Sequence, residues 1–383
     1  MTKTLKDLRP VYVVGIGWHR YQFLSETTYV DLGLTAVRAA LADAGIEWPA
    51  VQSAYVAKAL LPMAPGRPML RHLGATGLEI VHIEDASASG SAAFRHACLE
   101  VASGASDVVL AMGVDKPARV ALAERSTGIP ELAGDAFAPF THFAMLADQY
   151  AHRHGASIED IALVAVKNHR NGSKNRFAQH QKERTLAEIL GGKAISGTFT
   201  SLQCTPVGEG AAAVVLASED AIKRLGVDAS RAVRVVASAG RSQRTYDDPT
   251  RYDALLTAET TDLAFAQSGL ARSDIDLVEL HDAFTVEELE YVEAMGLCAE
   301  GEAVPMLKAG AFDIGGRCAI NPSGGLIAMG HPIGPTGIGQ IGEIALQLRG
   351  EAGARQQPDA RIGLAHMVGV GAVCYVHILQ RPA

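Results

Sequence analysis

Two stretches of this chain share one plan, and that duplication limits the folds open to it. Residues 40–55 read ALADAGIEWPAVQSAY and residues 264–279 read AFAQSGLARSDIDLVE. Each runs as helix, glycine stop and a spacer to an aliphatic residue (Val51, Ile275), then strand. Further on, ASGSAAFRHACLEVASG before VVLAMGV matches PTGIGQIGEIALQLRGE before IGLAHMVGV more loosely. Two related βαβ halves packed together are therefore expected, with the split near residues 231–234. Such sheets bind ligands beyond the carboxyl ends of their strands, so two glycine-rich helix starts should face one shared cleft.

Taken in order, strands are expected at 11–17, 52–59, 80–85 and 107–113. An amphipathic helix at 29–44 (Leu32, Leu34, Val37, Leu41) closes on Gly45, and a second spans 92–102. Residues 116–201 break the alternation, with helices expected at 143–154, 158–173 and 185–190. The plan is an N-terminal half over 1–230, a helical loop domain of about 116–200 inserted in it, and a C-terminal half over 231–383. Between residues 167 and 184 stand Lys167, Arg170, Lys174, Arg176, Lys182 and Arg184, opposed by Glu183. This run is expected at the surface, either as a solvated helical face or as a docking surface for a phosphorylated ligand.

Composition excludes several classes. A formal charge of −8 implies no general affinity for nucleic acid. No apolar run reaches the roughly 18 residues of a membrane span. The apolar stretch near the N-terminus is short and continues as a strand, so it is not expected to be a secretory signal, and Arg381-Pro382-Ala383 is not a peroxisomal tripeptide. The five cysteines lack paired spacing, which argues against a zinc site or disulfide framework and for a reducing, cytoplasmic location. Cys204, ahead of a buried strand, reads as structural.

Residues 321–339, NPSGGLIAMGHPIGPTGIG, concentrate glycine and proline ahead of a helix expected at 338–348. Glycine-rich backbone feeding a helix N-terminus favours an oxyanion nearby, and His331 stands inside the stretch. Taken alone, the stretch reads first as a tight packing loop. EDASASGSAAF places small residues at a strand-to-helix turn. His281-Asp282-Ala283-Phe284 puts a histidine beside a carboxylate at a strand end, either as an oriented acid, base or donor or as a structural residue. In AHMVGVG, His366 neighbours Met367 along a strand, so the two should point to opposite faces and His366 should lie away from the cleft.

NPSGG…GHPIGPTG resembles the signature of the thiolase superfamily, and the likeness covers essentially the whole chain. It resembles the sterol-carrier-protein-type and archaeal-like thiolases and the thiolase-like lipid-transfer proteins. The resemblance implies a thiolase-like α/β fold, with two duplicated βαβ halves in a layered αβαβα core and a loop domain facing coenzyme A. Aligning SASGS with the family's CASGS puts Ser87 where the nucleophilic cysteine belongs. His331 then relays a proton at the nucleophile and donates to the oxyanion with His281, and Gly369 matches the glycine whose N–H completes a second oxyanion hole. Ala283 and Met367 occupy positions where family members carry an acid/base cysteine, although archaeal-like members also show HDAF. Gly208-Glu209-Gly210 replaces the common Ser-Asp-Gly. Arg170 and Lys174 are candidate coenzyme A contacts, and Phe143 and Met145 are candidates for the acyl pocket.

A serine starts several pKa units above a cysteine, and a helix dipole alone does not make it a useful alkoxide. Either a neighbouring base activates Ser87, or the reaction needs no acyl-enzyme, or Ser87 replaces a natural cysteine. Three functions follow as expectations. The first makes or breaks a carbon–carbon bond next to an acyl-CoA thioester, of retro-aldol or Claisen type. The second is an acyl-CoA C-acyltransferase with its nucleophile replaced. The third is a non-catalytic acyl-CoA or lipid-binding subunit. Coenzyme A is then substrate or product, with no permanently bound cofactor and no metal. A homodimer is expected, and a small zinc-ribbon/OB-fold partner subunit is implied by the steroid-degrading aldolases of the superfamily.

Overall fold

The computed structural model describes residues 4–117, 139–369 and 373–382. Part of the expected loop domain, 118–138, lies outside them, as do residues 370–372 of the segment after Gly369. The N-terminal half builds β1 (Val11–Gln22), α1 (Tyr29–Ala44), β2 (Ser53–Ala57), β3 (Glu79–Ile83), α2 (Ser89–Ser103) and β4 (Val108–Asp115). Among the described residues three helices follow, α3 (Pro139–His154), α4 (Ile158–Gly172) and a short one at Leu186–Leu190 as expected, before the chain returns as β5 (Glu209–Ser218). The C-terminal half repeats the series: β6 (Val233–Ser242), α5 (Tyr252–Ser268), β7 (Leu277–Glu279), α6 (Thr285–Ala294), β8 (Ala319–Ile320), α7 (Thr336–Arg349), β9 (Ile362–Gly369) and β10 (Val373–Gln380).

The strand order shows the duplication directly. One half runs β3-β2-β4-β5-β1 and the other β8-β7-β9-β10-β6, the same permutation with five added to every label. The first three strands of each set are parallel and the other pairings antiparallel. The sets join where Val11–Val13 of β1 pairs antiparallel with Val233–Val235 of β6. Helix α1 packs on β1, β5 and β4, and α5 packs on β6 and β10. Helices α2 and α7 touch strands of both halves and each other. The layers are therefore helix, sheet, helix pair, sheet, helix, as the resemblance implied.

A helix covered on both sides must be apolar around its circumference, and α7 is buried along nearly its whole length. Its one charged interior residue, Glu343, is held by Arg355 at 2.8 Å. Helices α2 and α7 both start earlier than expected, because their glycines belong to the first turn. An added Cβ on Gly337 would lie 2.4 Å from Ser91 Oγ and 2.5 Å from Ser91 N, and one on Gly90 would meet Gly334 O at 2.8 Å. Gly337→Ala is expected to cost about 1–3 kcal/mol through overpacking, read as a lower midpoint in urea with an unchanged slope.

The basic run does not form one surface. Lys167 is buried in an ion pair with Glu288 at 3.1 Å, while Arg170 pairs at the surface with Asp313 at 2.5 Å. Among the described residues, no helix is long and apolar enough to cross a membrane.

Candidate active site

Four chain segments converge beyond the carboxyl ends of β3, β7, β8 and β9. The first is the turn from β3 into α2. Ala86 holds φ = +49°, a left-handed conformation that costs a non-glycine residue energy and persists only when its surroundings enforce it. The enforcement is visible. Asp85 N–H donates to Ser89 Oγ at 2.8 Å, Ser89 Oγ donates to Ala86 O at 2.6 Å, and Tyr375 O–H donates to the Asp85 carboxylate at 2.8 Å. This sharp turn sets Ser87 at the head of a 15-residue helix, with its side chain turned to the cleft. Gly369 backs directly onto the turn, for a Cβ there would lie 2.6 Å from Asp85 O.

The second segment carries His331. Its Nε2 lies 3.0 Å from Ser87 Oγ, and its Nδ1 lies 2.8 Å from Thr336 Oγ1. The Thr336 hydroxyl spends its own proton on Pro332 O at 2.7 Å. It therefore accepts from His331, which puts the ring proton on Nδ1 and leaves the lone pair of Nε2 to accept from the Ser87 hydroxyl. Burial first, and then the neighbouring His281, hold His331 well below the ordinary imidazole range, so the ring is neutral at pH 7. A neutral ring in this tautomer is a proton acceptor at Ser87. It becomes an oxyanion donor only after it has taken a proton.

The third segment carries His281, whose ring meets that of His331 edge to face at 5.6 Å between centroids. The carboxylate beside it in sequence is not its partner. Asp282 turns away to accept from Leu326 N at 2.6 Å and Asn168 Nδ2 at 2.7 Å, tying the His281 segment to the glycine-rich stretch. His281 Nδ1 instead meets Glu287 Oε1 at 2.8 Å, one turn into α6. Glu287 also accepts from Phe284 N and Tyr291 O–H, so a fully buried carboxylate fixes the ring. His366 lies behind that arrangement. It packs against Tyr291 with ring centroids 4.9 Å apart and bonds to Thr257 at 3.0 Å, outside the Ser87–His331 pair as expected.

The remaining candidates divide. Phe143 stacks on Phe284 at 4.4 Å, within one residue of Ala283. Met145, two residues on along α3, is 58% exposed. Arg170 is occupied by Asp313. Lys174 lines a separate hollow with Trp18, Arg176 and Phe177, toward the far end of α7. Cys204 is buried behind Phe284, and burial pushes its thiol up to about 12. Sequence reasoning missed Thr336 and Glu287. Each lies five or six residues after its histidine, at the first turn of the following helix, and that spacing is the signal available in the sequence.

Residues 16–186 match the model of the thiolase N-terminal domain, and residues 237–381 match the thiolase C-terminal domain-like model. The chain is 37% identical over 391 residues to sterol carrier protein 2 of Gallus gallus, covering 96% of this chain and 71% of that protein. It is 34% identical over 378 residues to benzoylsuccinyl-CoA thiolase subunit BbsB of Thauera aromatica, covering 96% of each. Among solved structures, the Ltp2-ChsH2(DUF35) aldolase superposes with a TM-score of 0.82 over 98% of each chain. At 23% identity this is a likeness of fold.

Proposed function

We propose, from the premise that this chain belongs to the thiolase family, that it acts on an acyl-CoA thioester and makes or breaks the carbon–carbon bond beside the thioester carbonyl. The observation that carries this reading is the pair of facing imidazoles. One turns its lone pair to the Ser87 hydroxyl, and the other is locked by a buried carboxylate. Retro-aldol cleavage needs a base for a β-hydroxyl and donors for the thioester enolate that forms as the Cα–Cβ bond breaks. His331 Nε2 supplies the base, directly or through Ser87. His281 Nε2, when the ring carries both protons, and the Gly369 N–H are the donors proposed for the enolate oxygen. Phe143, stacked at the edge of the site, is proposed to contact the acyl group.

A second reading, Claisen-type acyl transfer, is supported by Ser87 standing where the family places its nucleophilic cysteine. The experiment offers 3-hydroxyacyl-CoA and 3-oxoacyl-CoA substrates to the chain alone and with a DUF35-type subunit added. A partner of that kind is proposed from the aldolase neighbour. An aldehyde or ketone with a shortened acyl-CoA from the first series supports retro-aldol cleavage. Thiolysis of the second series, strengthened in Ser87→Cys, supports acyl transfer. No product from either series, with or without the added subunit, sinks the proposal.

A further inference from the structure

The proton arrangement at Ser87 does more than the carbon–carbon reaction asks of it. A retro-aldol base needs only an imidazole lone pair facing the substrate. Here that lone pair is already engaged by a hydroxyl on the tip of a strained turn. The line of donors is continuous and runs one way: Ser87 O–H to His331 Nε2, His331 Nδ1–H to Thr336 Oγ1, Thr336 O–H to Pro332 O. Because Thr336 has no second proton to give, the ring cannot switch its tautomer without breaking a buried bond. Serine, base and orienting group in this order are the parts of an oxygen nucleophile. Ala86 at φ = +49° between β3 and α2 supplies the strand–elbow–helix setting that such nucleophiles use.

We infer that Ser87 is an activated oxygen nucleophile, and that the site hydrolyses acyl-CoA thioesters through an acyl-serine ester. This rests on the reading that the cleft takes acyl-CoA. Ser87 Oγ bonds to the thioester carbon while its proton passes to His331 Nε2. The tetrahedral adduct collapses, the C–S bond breaks, and coenzyme A leaves as the thiol with the proton from Nε2. Water then attacks the ester, giving its proton to Nε2. The C–O bond to serine breaks, Oγ recovers that proton, and a carboxylic acid departs. The sum is thioester and water to acid and thiol. Thr336 is a positioning residue, acting through the ring it orients.

The test uses the full chain with two probes, an alkyl fluorophosphonate and octanoyl-CoA, read by intact-protein mass and by release of free coenzyme A. One adduct is expected, on Ser87, together with coenzyme A release that Ser87→Ala abolishes. Thr336→Ser should keep the labelling rate within about threefold, while Thr336→Val, folded by its melting curve, should lower it about 10–100-fold. A merely structural threonine would not separate these two variants. Absence of the adduct overturns the inference, as does an adduct elsewhere or coenzyme A release that persists in Ser87→Ala. Should the unlabelled enzyme still cleave 3-hydroxyacyl-CoA, the carbon–carbon reading stands and the serine nucleophile falls. Labelling and hydrolysis without carbon–carbon cleavage leave the serine nucleophile standing and remove the carbon–carbon reading.

Discussion

Replacing His331 with asparagine is expected to lower turnover of an acyl-CoA substrate by about 10²–10⁴-fold while leaving KM for that substrate within a few-fold. Asparagine keeps a donor that reaches the Thr336 hydroxyl, so the turn from residue 331 into α7 keeps its local bond. It has no basic nitrogen, and the Ser87 proton loses its destination. A residue that only packs the loop would change stability and KM before it changed kcat. Steady-state kinetics with a thermal melt on the same sample separate the two cases. The wild-type pH profile follows from the same burial. His331 is held well below the usual imidazole range, so the unprotonated base persists below pH 6.5 and activity is lost only as pH falls through the lowered value. The stability sign is set by the unfolded chain, whose histidine takes a proton near its ordinary pKa of about 6.5 while the buried ring does not. The contribution of His331 to stability is therefore whole above about pH 6.5 and shrinks in acid.

Lys167→Met is expected to reduce unfolding free energy by about 3–5 kcal/mol, the cost typical of leaving one charge of a buried pair alone. The ammonium donates to Ile320 O at 2.6 Å and Asn168 Oδ1 at 2.5 Å, and it faces the Glu288 carboxylate at 3.1 Å, with both charged groups buried. Glu288 would keep only the side-chain amides of Asn168 and Asn321, each at 3.0 Å. Asp282 sits beside it, and burial and then Glu288 already raise its carboxyl well above the usual range. Denaturation in urea should show most of the loss recovered in the double variant Lys167→Met/Glu288→Met, since removing both charges of a buried pair is far cheaper than removing one. The consequence reaches the site. Asn321, at φ = +52°, accepts from Leu280 N at 2.9 Å, and Asp282 holds Leu326 N, so this network ties the His281 strand end to the stretch that carries His331.

The architecture was legible because duplication, glycine stops and aliphatic runs are properties of sequence order. The permutation shared by β1–β5 and β6–β10 is the repeat made visible. His281 and His331 stood out by local pattern, Ser87 and Gly369 were singled out through the family resemblance, and the fold brings all four to one place. Their partners were not. Adjacency suggested Asp282 for His281, but neighbours on extended backbone point apart, and the first turn of a helix brings Glu287 back instead. Lys167 looked like one more surface charge because a run of charges carries no information on which face of α4 is covered. Lys174 belongs to the same run and to a different hollow.

The crossing of α2 and α7 through Gly90 and Gly337 has a consequence for how the molecule comes apart. Each half lends one helix to a layer that covers both sheets, and β1 is sewn to β6 at Val11–Val13. The core between the two sheets belongs to neither half alone, for it is filled by Phe94, Val101 and Val214 of one and Leu277, Ile338 and Ile341 of the other. Loss of one strips the inner face of the other, so the two copies of the ancestral unit no longer exist as separable folding units. They melt together, and the cleft between them is created or destroyed in the same event.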